Sequence, residues 1–376
     1  MKVLSLFDGM SCGQIALRQL MLLNGFENLR VDTYYASEID KYAIAQTQHN
    51  FPDTVQLGDV ERWREWDIDW EHLDLVMGGS PCQGFSFAGK QLAFDDPRSR
   101  LFFVFAEILD YARAHNPKVK FLLENVNMKK EYLRIISKRV GVVPVKINSA
   151  LVSAQNRNRW YWTDIRTRQE GLFGEVYSDI PQPEDRGILL RDILEFEVDE
   201  KYYLSDQALA RAFRKNYSTP KINPEKAGTL NTKNNSGQVS FDSGSTFTLQ
   251  RPRGYNQGGL HPDKSPTLSA NAWEQNNLLV LGNIYDNGHN SMSGRVYSTE
   301  GKSTALRGEA GGGGGKTGLY LSGSRIRRLT PTECARLQTI PEWYEWICSE
   351  TQQYRMLGNG WTVEVIKHIL SCKQWN

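Results

Sequence analysis

Five short apolar runs in the first 126 residues each stop at a glycine or an acid, and that spacing limits the fold more than any other feature of the sequence. The runs are residues 3–7, 31–37, 54–57, 73–77 and 120–123. They end at Asp8-Gly9, Glu38-Ile39-Asp40, Gly58-Asp59, Gly78-Gly79 and Glu124-Asn125. Apolar runs this short, bounded by turn residues, read as buried strands. Helical patterns lie between them. Ile15, Ala16, Leu17, Leu20 and Met21 share one helical face as far as Asn24-Gly25, and residues 101–114 and 132–140 show similar spacing. Residues 142–147 and 160–165 read as further strands. Strand alternating with helix predicts an α/β fold with a largely parallel sheet and helices on both faces. Ligands of such sheets bind beyond the carboxyl ends of the strands, so the ends of the runs are the first candidates for function.

The first run opens into F-D-G-M-S-C-G and then a helix, half of a nucleotide-type βαβ unit. Such a turn alone is a weak signal. Glu38 stands where a ribose hydroxyl is held, and Asp40 is placed to cap the next helix. Asp59 can accept from an exocyclic amine and Phe7 can stack on a base, so Phe7, Glu38 and Asp59 together suit an adenosine. The fourth run enters S-P-C-Q-G-F-S. A lone cysteine is ordinarily a small buried hydrophobe, but the flanking Gly and Pro make a turn that would present Cys82 to a cleft. Glu124 ends the neighbouring run. A thiolate activated by nearby donors is a nucleophile, and a carboxylic acid beside it can serve a ring nitrogen as a general acid. Arg157 and Arg159, two apart on an extended segment, share a face that suits a phosphate or an oxyanion; an edge-strand surface would look the same. The polar stretch 83–100 reads as a mobile loop.

Beyond Asp164 the texture changes. Residues 207–325 hold 18 of the 32 glycines and 14 Lys/Arg against 7 Asp/Glu, a local balance of +7 in a chain of net +2. One basic segment in an otherwise slightly acidic chain is a footprint for a polyanion, or else a solvated surface. K-A-G-T-L, K-S-P-T-L and K-S-T-A-L begin at Lys226, Lys264 and Lys302, a spacing of 38 residues that reads as repeated β units. Gly311 to Gly315 must be loop. Residues 327–337 return to a helical pattern, with Thr330 as N-cap and Pro331 at the first helical position. M-L-G-N-G (356–360) reads as a glycine turn. Val363, Val365, Ile366, Ile369 and Leu370 line a last helix whose apolar face needs the N-terminal sheet. The five cysteines are odd in number and form no C-x-x-C, which argues against zinc or a disulfide framework and for a reducing compartment. Residues 3–7 are too short a run for a signal peptide, and no apolar stretch reaches 18 residues.

The motifs, taken in order, resemble those of the DNA (cytosine-5) methyltransferases over nearly the whole chain. F-D-G-M-S-C-G is similar to the family's cofactor loop, P-C-Q-G-F-S-F-A-G-K to its nucleophile loop and E-N-V (124–126) to its acid motif. Q-N-R-N-R (155–159), L-T-P-T-E-C-A-R-L-Q (329–338) and L-G-N-G-W-T-V (357–363) match the later ones. The tail is also similar to the animal de novo branch. Ser11-Cys12 replaces a usual glycine pair, and Met356 a usual glutamine.

The resemblance implies a Rossmann-like methyltransferase sheet with a smaller β-rich target recognition domain. The expected division is 1–185 for the first part of the catalytic domain, 186–325 for target recognition and 326–376 for a return to the catalytic domain. It implies S-adenosyl-L-methionine as cofactor, S-adenosyl-L-homocysteine as product, and transfer of methyl to C5 of a cytosine flipped out of double-stranded DNA. Cys82, Glu124, Arg159 and Arg157 would be catalytic. Phe7, Asp8, Gly9, Met10, Glu38, Ile39, Asp59, Val60, Ser80 and Asn359 would bind cofactor. Gln83, Ser86, Arg98, Arg251, Arg253, Arg295 and Arg307 would contact DNA, and no metal is expected. A cytoplasmic, nucleoid-associated monomer is implied, with a restriction endonuclease as candidate companion. A branch of the family that methylates tRNA usually lacks so large a variable segment. A silent relative would have lost Cys82 or Glu124. An amino-methyltransferase would carry a D/N-P-P-Y/F tetrapeptide, which is absent.

Overall fold

The computed structural model describes residues 1–80, 100–171, 174–205, 247–250, 259–261, 278–283, 295–306, 318–322 and 325–375. The five apolar runs become β1 (Lys2–Leu6), β2 (Thr33–Ser37), β3 (Val55–Gln56), β4 (Leu73–Gly78) and β5 (Lys120–Val126), followed by β6 (Val145–Asn148) and β7 (Asn158–Thr163). They form one sheet in the order β3-β2-β1-β4-β5-β7-β6. Strands β1 to β5 pair in parallel, and β7 pairs antiparallel with both β5 and β6. The sheet is thus parallel up to β5 and antiparallel at its far edge.

Alternation along each strand divides the core. Val3, Leu75, Met77 and Leu122 face one side, against Ile15, Ala16, Leu17 and Leu20 of α1 (Cys12–Leu20). Leu4, Leu6, Leu73, Val76, Phe121 and Leu123 face the other. There they meet α3 (Arg100–His115), whose Phe102, Phe105, Ala106, Leu109 and Ala112 recur at helical spacing, and Ile136 and Val140 of α4 (Lys130–Val140). Each large apolar side chain so buried contributes roughly 1.5–3 kcal/mol. Between β2 and β3 lies α2 (Lys41–Asn50), capped by the Asp40 carboxylate, which accepts from Tyr42 N at 2.8 Å.

The chain also forms a two-stranded ribbon, β8 (Thr167–Glu170) with β9 (Glu175–Ser178). A separate sheet contains β10 (Phe247–Gln250), β11 (Gly259–His261), β12 (Leu278–Asn283), β13 (Arg295–Ser298), β14 (Leu319–Ser322) and β15 (Arg325–Arg327). Of the 38-residue repeats, Lys226 and Lys264 lie outside the described residues. The third is no strand of that sheet. Its Lys302 Nζ donates to the carbonyls of Ala150 (2.8 Å), Ser153 (3.2 Å) and Ile188, while Ser303 N donates to Ala154 O and Asn156 N to Ser303 O. It is a peg that fastens the later sheet to the segment around residues 150–156.

At the C-terminal end come α5 (Pro331–Leu337), α6 (Glu350–Asn359) and α7 (Val363–Leu370). Thr330 caps α5 as expected, and Glu333 completes a capping box with it. Residues 356–359, read above as a glycine turn, instead finish α6. Tyr354, Met356 and Leu357 bury their side chains, so packing overrides the local preference of Gly358, and the helix breaks only at Gly360. Val363, Val365, Ile366, Ile369 and Leu370 pack into the same core as α1, so the last helix returns to the N-terminal sheet. Among the described residues no helix is long and apolar enough to cross a membrane.

Candidate active site

In the order β3-β2-β1-β4-β5, the chain runs one way from β1 to β2 and β3, and the other way to β4 and β5. The carboxyl ends of β1 and β4 therefore flank a topological switch point, where an open sheet leaves a crevice.

On the β1–β3 side the backbone is unusually shaped. Phe7, Gly9 and Ser11 all take positive φ, at 58°, 59° and 65°. For Phe and Ser this left-handed region costs on the order of 1–3 kcal/mol and marks a loop that the fold over-determines. Glu38 secures the loop: its Oε2 accepts from Gly9 N at 2.8 Å, and its Oε1 from Ile39 N and Asp40 N, both at 2.8 Å. Those bonds occupy three of about four carboxylate acceptor sites, leaving about one for a hydroxyl. Nothing lies within 4 Å of where a Cβ would stand on Gly9 or on Gly58, so the space above both is open. Ile39 is 74% exposed beside it. Asp59 is exposed and caps a 3-10 turn (Val60–Glu65) through Glu61 N, while Val60 is buried. An open cradle edged by a braced carboxylate, an exposed apolar side chain and a second carboxylate suits a nucleoside.

Asp8 lies beneath the loop. Its Oδ1 accepts from the Tyr34 hydroxyl at 2.8 Å, and its Oδ2 is buried without a hydrogen-bond partner. Burial pushes its carboxyl up to about 6, against the opposing effect of nearby hydroxyls. Met10 is buried, and its carbonyl accepts from Tyr344.

On the β4–β5 side, Asn125 donates from Nδ2 to Ser80 Oγ at 3.2 Å, tying the two strand ends together. Ser80 is buried. Glu124 pairs with Arg159, Nε to Oε1 at 2.8 Å, and both side chains are largely shielded from water. The pairing follows from register: Val126 sits opposite Arg159 and Glu124 opposite Tyr161, so Arg159 reaches Glu124 along the sheet. A methyl group on Gly79 would lie 2.9 Å from the Trp361 indole nitrogen and 3.1 Å from Oε2 of Glu124. Gly79 is therefore the narrow point where the acid and the indole meet.

The structure gives one assigned residue unexpected surroundings and brings one unassigned residue to the crevice. Arg157 is buried, and its guanidinium donates to the carbonyls of Leu306 (3.2 Å), Gly358 (3.3 Å) and Gly360 (2.9 Å). It faces backbone rather than a phosphate or an oxyanion. Trp361 was not singled out by the sequence, although its place straight after L-G-N-G was the available signal. Asn359 is exposed at the last turn of α6, and Gly360 packs against Cys12 and Met10: a Cβ there would meet Cys12 Sγ at 3.1 Å. Burial pushes the Cys12 thiol up to about 12, so it is a packing group. Cys82, Gln83, Ser86, Arg98, Arg251, Arg253 and Arg307 lie outside the described residues, as does the Arg295 side chain.

A crevice at the switch point of a mostly parallel sheet, with an open cradle on one side and a braced acid on the other, is the architecture of the Rossmann-like class. The family model for C-5 cytosine-specific DNA methylase matches residues 1–374. The chain is 30% identical to the orphan methyltransferase M.SPRI of Bacillus phage SPR, over 98% of this chain and 96% of that protein. It is 28% identical to the type II methyltransferase M1.ScrFI of Lactococcus lactis subsp. cremoris, over 98% and 76%. Among solved structures, a DNMT2 variant from Spodoptera frugiperda aligns with a TM-score of 0.55 at 19% identity, over 99% of this chain and 98% of that one, a likeness of fold. The chain belongs to the C-5 cytosine-specific DNA methylase family. It is a DNA cytosine-5 methyltransferase that uses S-adenosylmethionine.

Proposed function

We infer that the β4–β5 edge is the methyl-transfer centre and the β1–β3 edge the cofactor pocket of a sequence-specific enzyme. The observation that carries this reading is the Glu124–Arg159 pair beside Gly79 and Ser80, two residues before Cys82 in the chain. C5 of cytosine is a poor nucleophile. Attack of the Cys82 thiolate on C6 forms an S–C6 bond and makes C5 enamine-like. Glu124 offsets the charge at N3 by a proton or hydrogen bond, and Arg159 keeps that acid in place while facing O2 or the flanking phosphate. When the C5 proton is lost after transfer, the S–C6 bond breaks and Cys82 is regenerated. When bound, S-adenosylmethionine supplies an electrophilic methyl group. Phe7, Asp8, Gly9, Met10, Glu38, Ile39, Asp59, Val60, Ser80 and Asn359 hold it, and Trp361 joins them.

Residues 186–325 read the target, with Arg251, Arg253, Arg295 and Arg307 contacting phosphate or base edges. Gln83, Ser86 and Arg98 contact DNA at the reaction centre. The protein acts as a monomer in the cytoplasm, on nucleoid DNA, with or without a companion endonuclease. Cys82→Ala should abolish methylation of duplex DNA while leaving S-adenosylhomocysteine binding by calorimetry within about twofold, and methylation by that variant would remove Cys82 from the mechanism.

A further inference from the structure

The turn between α6 and α7 is held by two buried side chains that the methyl-transfer chemistry does not use. Gln338, the last residue of L-T-P-T-E-C-A-R-L-Q, is fully buried. Its Nε2 donates to Leu357 O at 2.6 Å and to Gly360 O at 3.3 Å, and its Oε1 accepts from Thr362 Oγ1 at 2.9 Å. Arg157, from Q-N-R-N-R, donates to Gly358 O and Gly360 O. The carbonyls of Leu357 and Gly358 belong to the last turn of α6, which has no intrahelical donors of its own, and a guanidinium there also meets the negative end of the helix. Two motifs distant in the chain thus converge on one short piece of backbone, and both reach the Gly360 oxygen. The other side of that piece faces the crevice. Gly360 rests on Met10 and Cys12, and Trp361 stands over Gly79 beside Glu124.

The geometry points to Arg157 and Gln338 as positioning residues for the cofactor. They act by fixing the 358–361 turn, and Arg157 is not a DNA-contacting group. A shift of this turn moves Trp361 and Asn359 together and so changes the pocket wall. Because the two donors share one acceptor, removing either leaves the other to hold the turn less well, and their effects are coupled. This inference rests on reading the 358–361 turn as a wall of the cofactor pocket.

The test uses the full chain, with S-adenosylhomocysteine binding by calorimetry, duplex DNA binding by fluorescence anisotropy and steady-state methylation kinetics. Gln338→Met should weaken S-adenosylhomocysteine about fivefold and Arg157→Met about tenfold or more. The KM for cofactor should rise in step, and DNA affinity should stay within about twofold. Arg157→Lys should recover part of the loss, and the double variant should lose less than the product of the two single losses. If Arg157→Met does not fold, Arg157→Lys and Gln338→Met still carry the comparison. Loss of DNA affinity or of kcat with cofactor affinity intact would place Arg157 on the DNA and overturn the inference. Trp361→Ala separates the levels. If it leaves S-adenosylhomocysteine affinity unchanged, the turn is no pocket wall and the inference fails with that reading. If it weakens binding while Gln338→Met does not, the wall stands and only the positioning role fails.

Discussion

Asp8 carries its carboxyl at about 6 because its Oδ2 is buried with no donor, while Tyr34 serves only Oδ1. The native state then keeps a proton that the unfolded chain releases near the ordinary value of 3.8. The stabilisation from that proton is complete below about pH 4 and is lost as pH rises through about 6. Relative to Asp8→Asn, the wild type should lose up to about 3 kcal/mol of stability between pH 4 and pH 7, measured by urea unfolding at each pH. Parallel profiles would show that the oxygen is solvated. Gly79 gives a second residue-level outcome. A methyl group there meets the Trp361 indole nitrogen and Glu124, so Gly79→Ala should cost about 1–3 kcal/mol in packing and lower methylation at least tenfold. Wild-type turnover in that variant would mean that indole and acid do not close on Gly79. That Glu124 stands near the end of a strand was legible in the sequence, because strand ends are local facts. The partners of Arg157 were not legible, because spacing tells which face a side chain shares, not which oxygens wait there. Trp361 was missed because its partner Gly79 is remote in sequence.

The elements on either side of the site were legible in different degrees. Runs ending in glycine or acid predict strands and their ends, since a buried strand needs only a short apolar stretch. The end of α6 was not legible: Gly358-Asn359-Gly360 carries a local turn signal, and only the burial of Tyr354, Met356 and Leu357 outweighs it. Nor did sequence alone show that Glu333, the N3 residue of α5, also receives Arg327. The pair is bidentate, with both bonds 2.7 Å, and it is sealed from solvent. Glu333 further accepts from Thr330 N and Glu195 N, each at 2.9 Å. Glu333→Ala should therefore destabilise by about 3–5 kcal/mol, because it strands a buried guanidinium. Replacing both members, Arg327→Met with Glu333→Leu, should cost clearly less than Glu333→Ala alone in the same denaturation experiment. An equal or larger loss would mean that the pair adds stability beyond mutual neutralisation.

Across the whole molecule, the chain leaves the first sheet after β7 and returns with α7, so the crevice is built from both ends of the sequence. The basic, glycine-rich stretch between them is fastened back by the Lys302 peg. Its composition pointed to a polyanion, but composition cannot say which side chains read bases. Exchanging residues 207–325 for the corresponding segment of a relative should change which cytosines are methylated and leave cofactor affinity within about twofold; an unchanged methylation pattern would make the segment scaffold alone. The central claim is that Cys82 bonds to the cytosine ring. It is tested most directly with duplex DNA amplified using 5-fluoro-dCTP. Fluorine at C5 cannot leave as a proton does, so the adduct should persist when S-adenosylmethionine is present. Peptide mass mapping should then find the methylated fluoropyrimidine on Cys82. Methylation of ordinary DNA by the same preparation with no adduct, or with the adduct on Cys12 or another cysteine, would contradict the account.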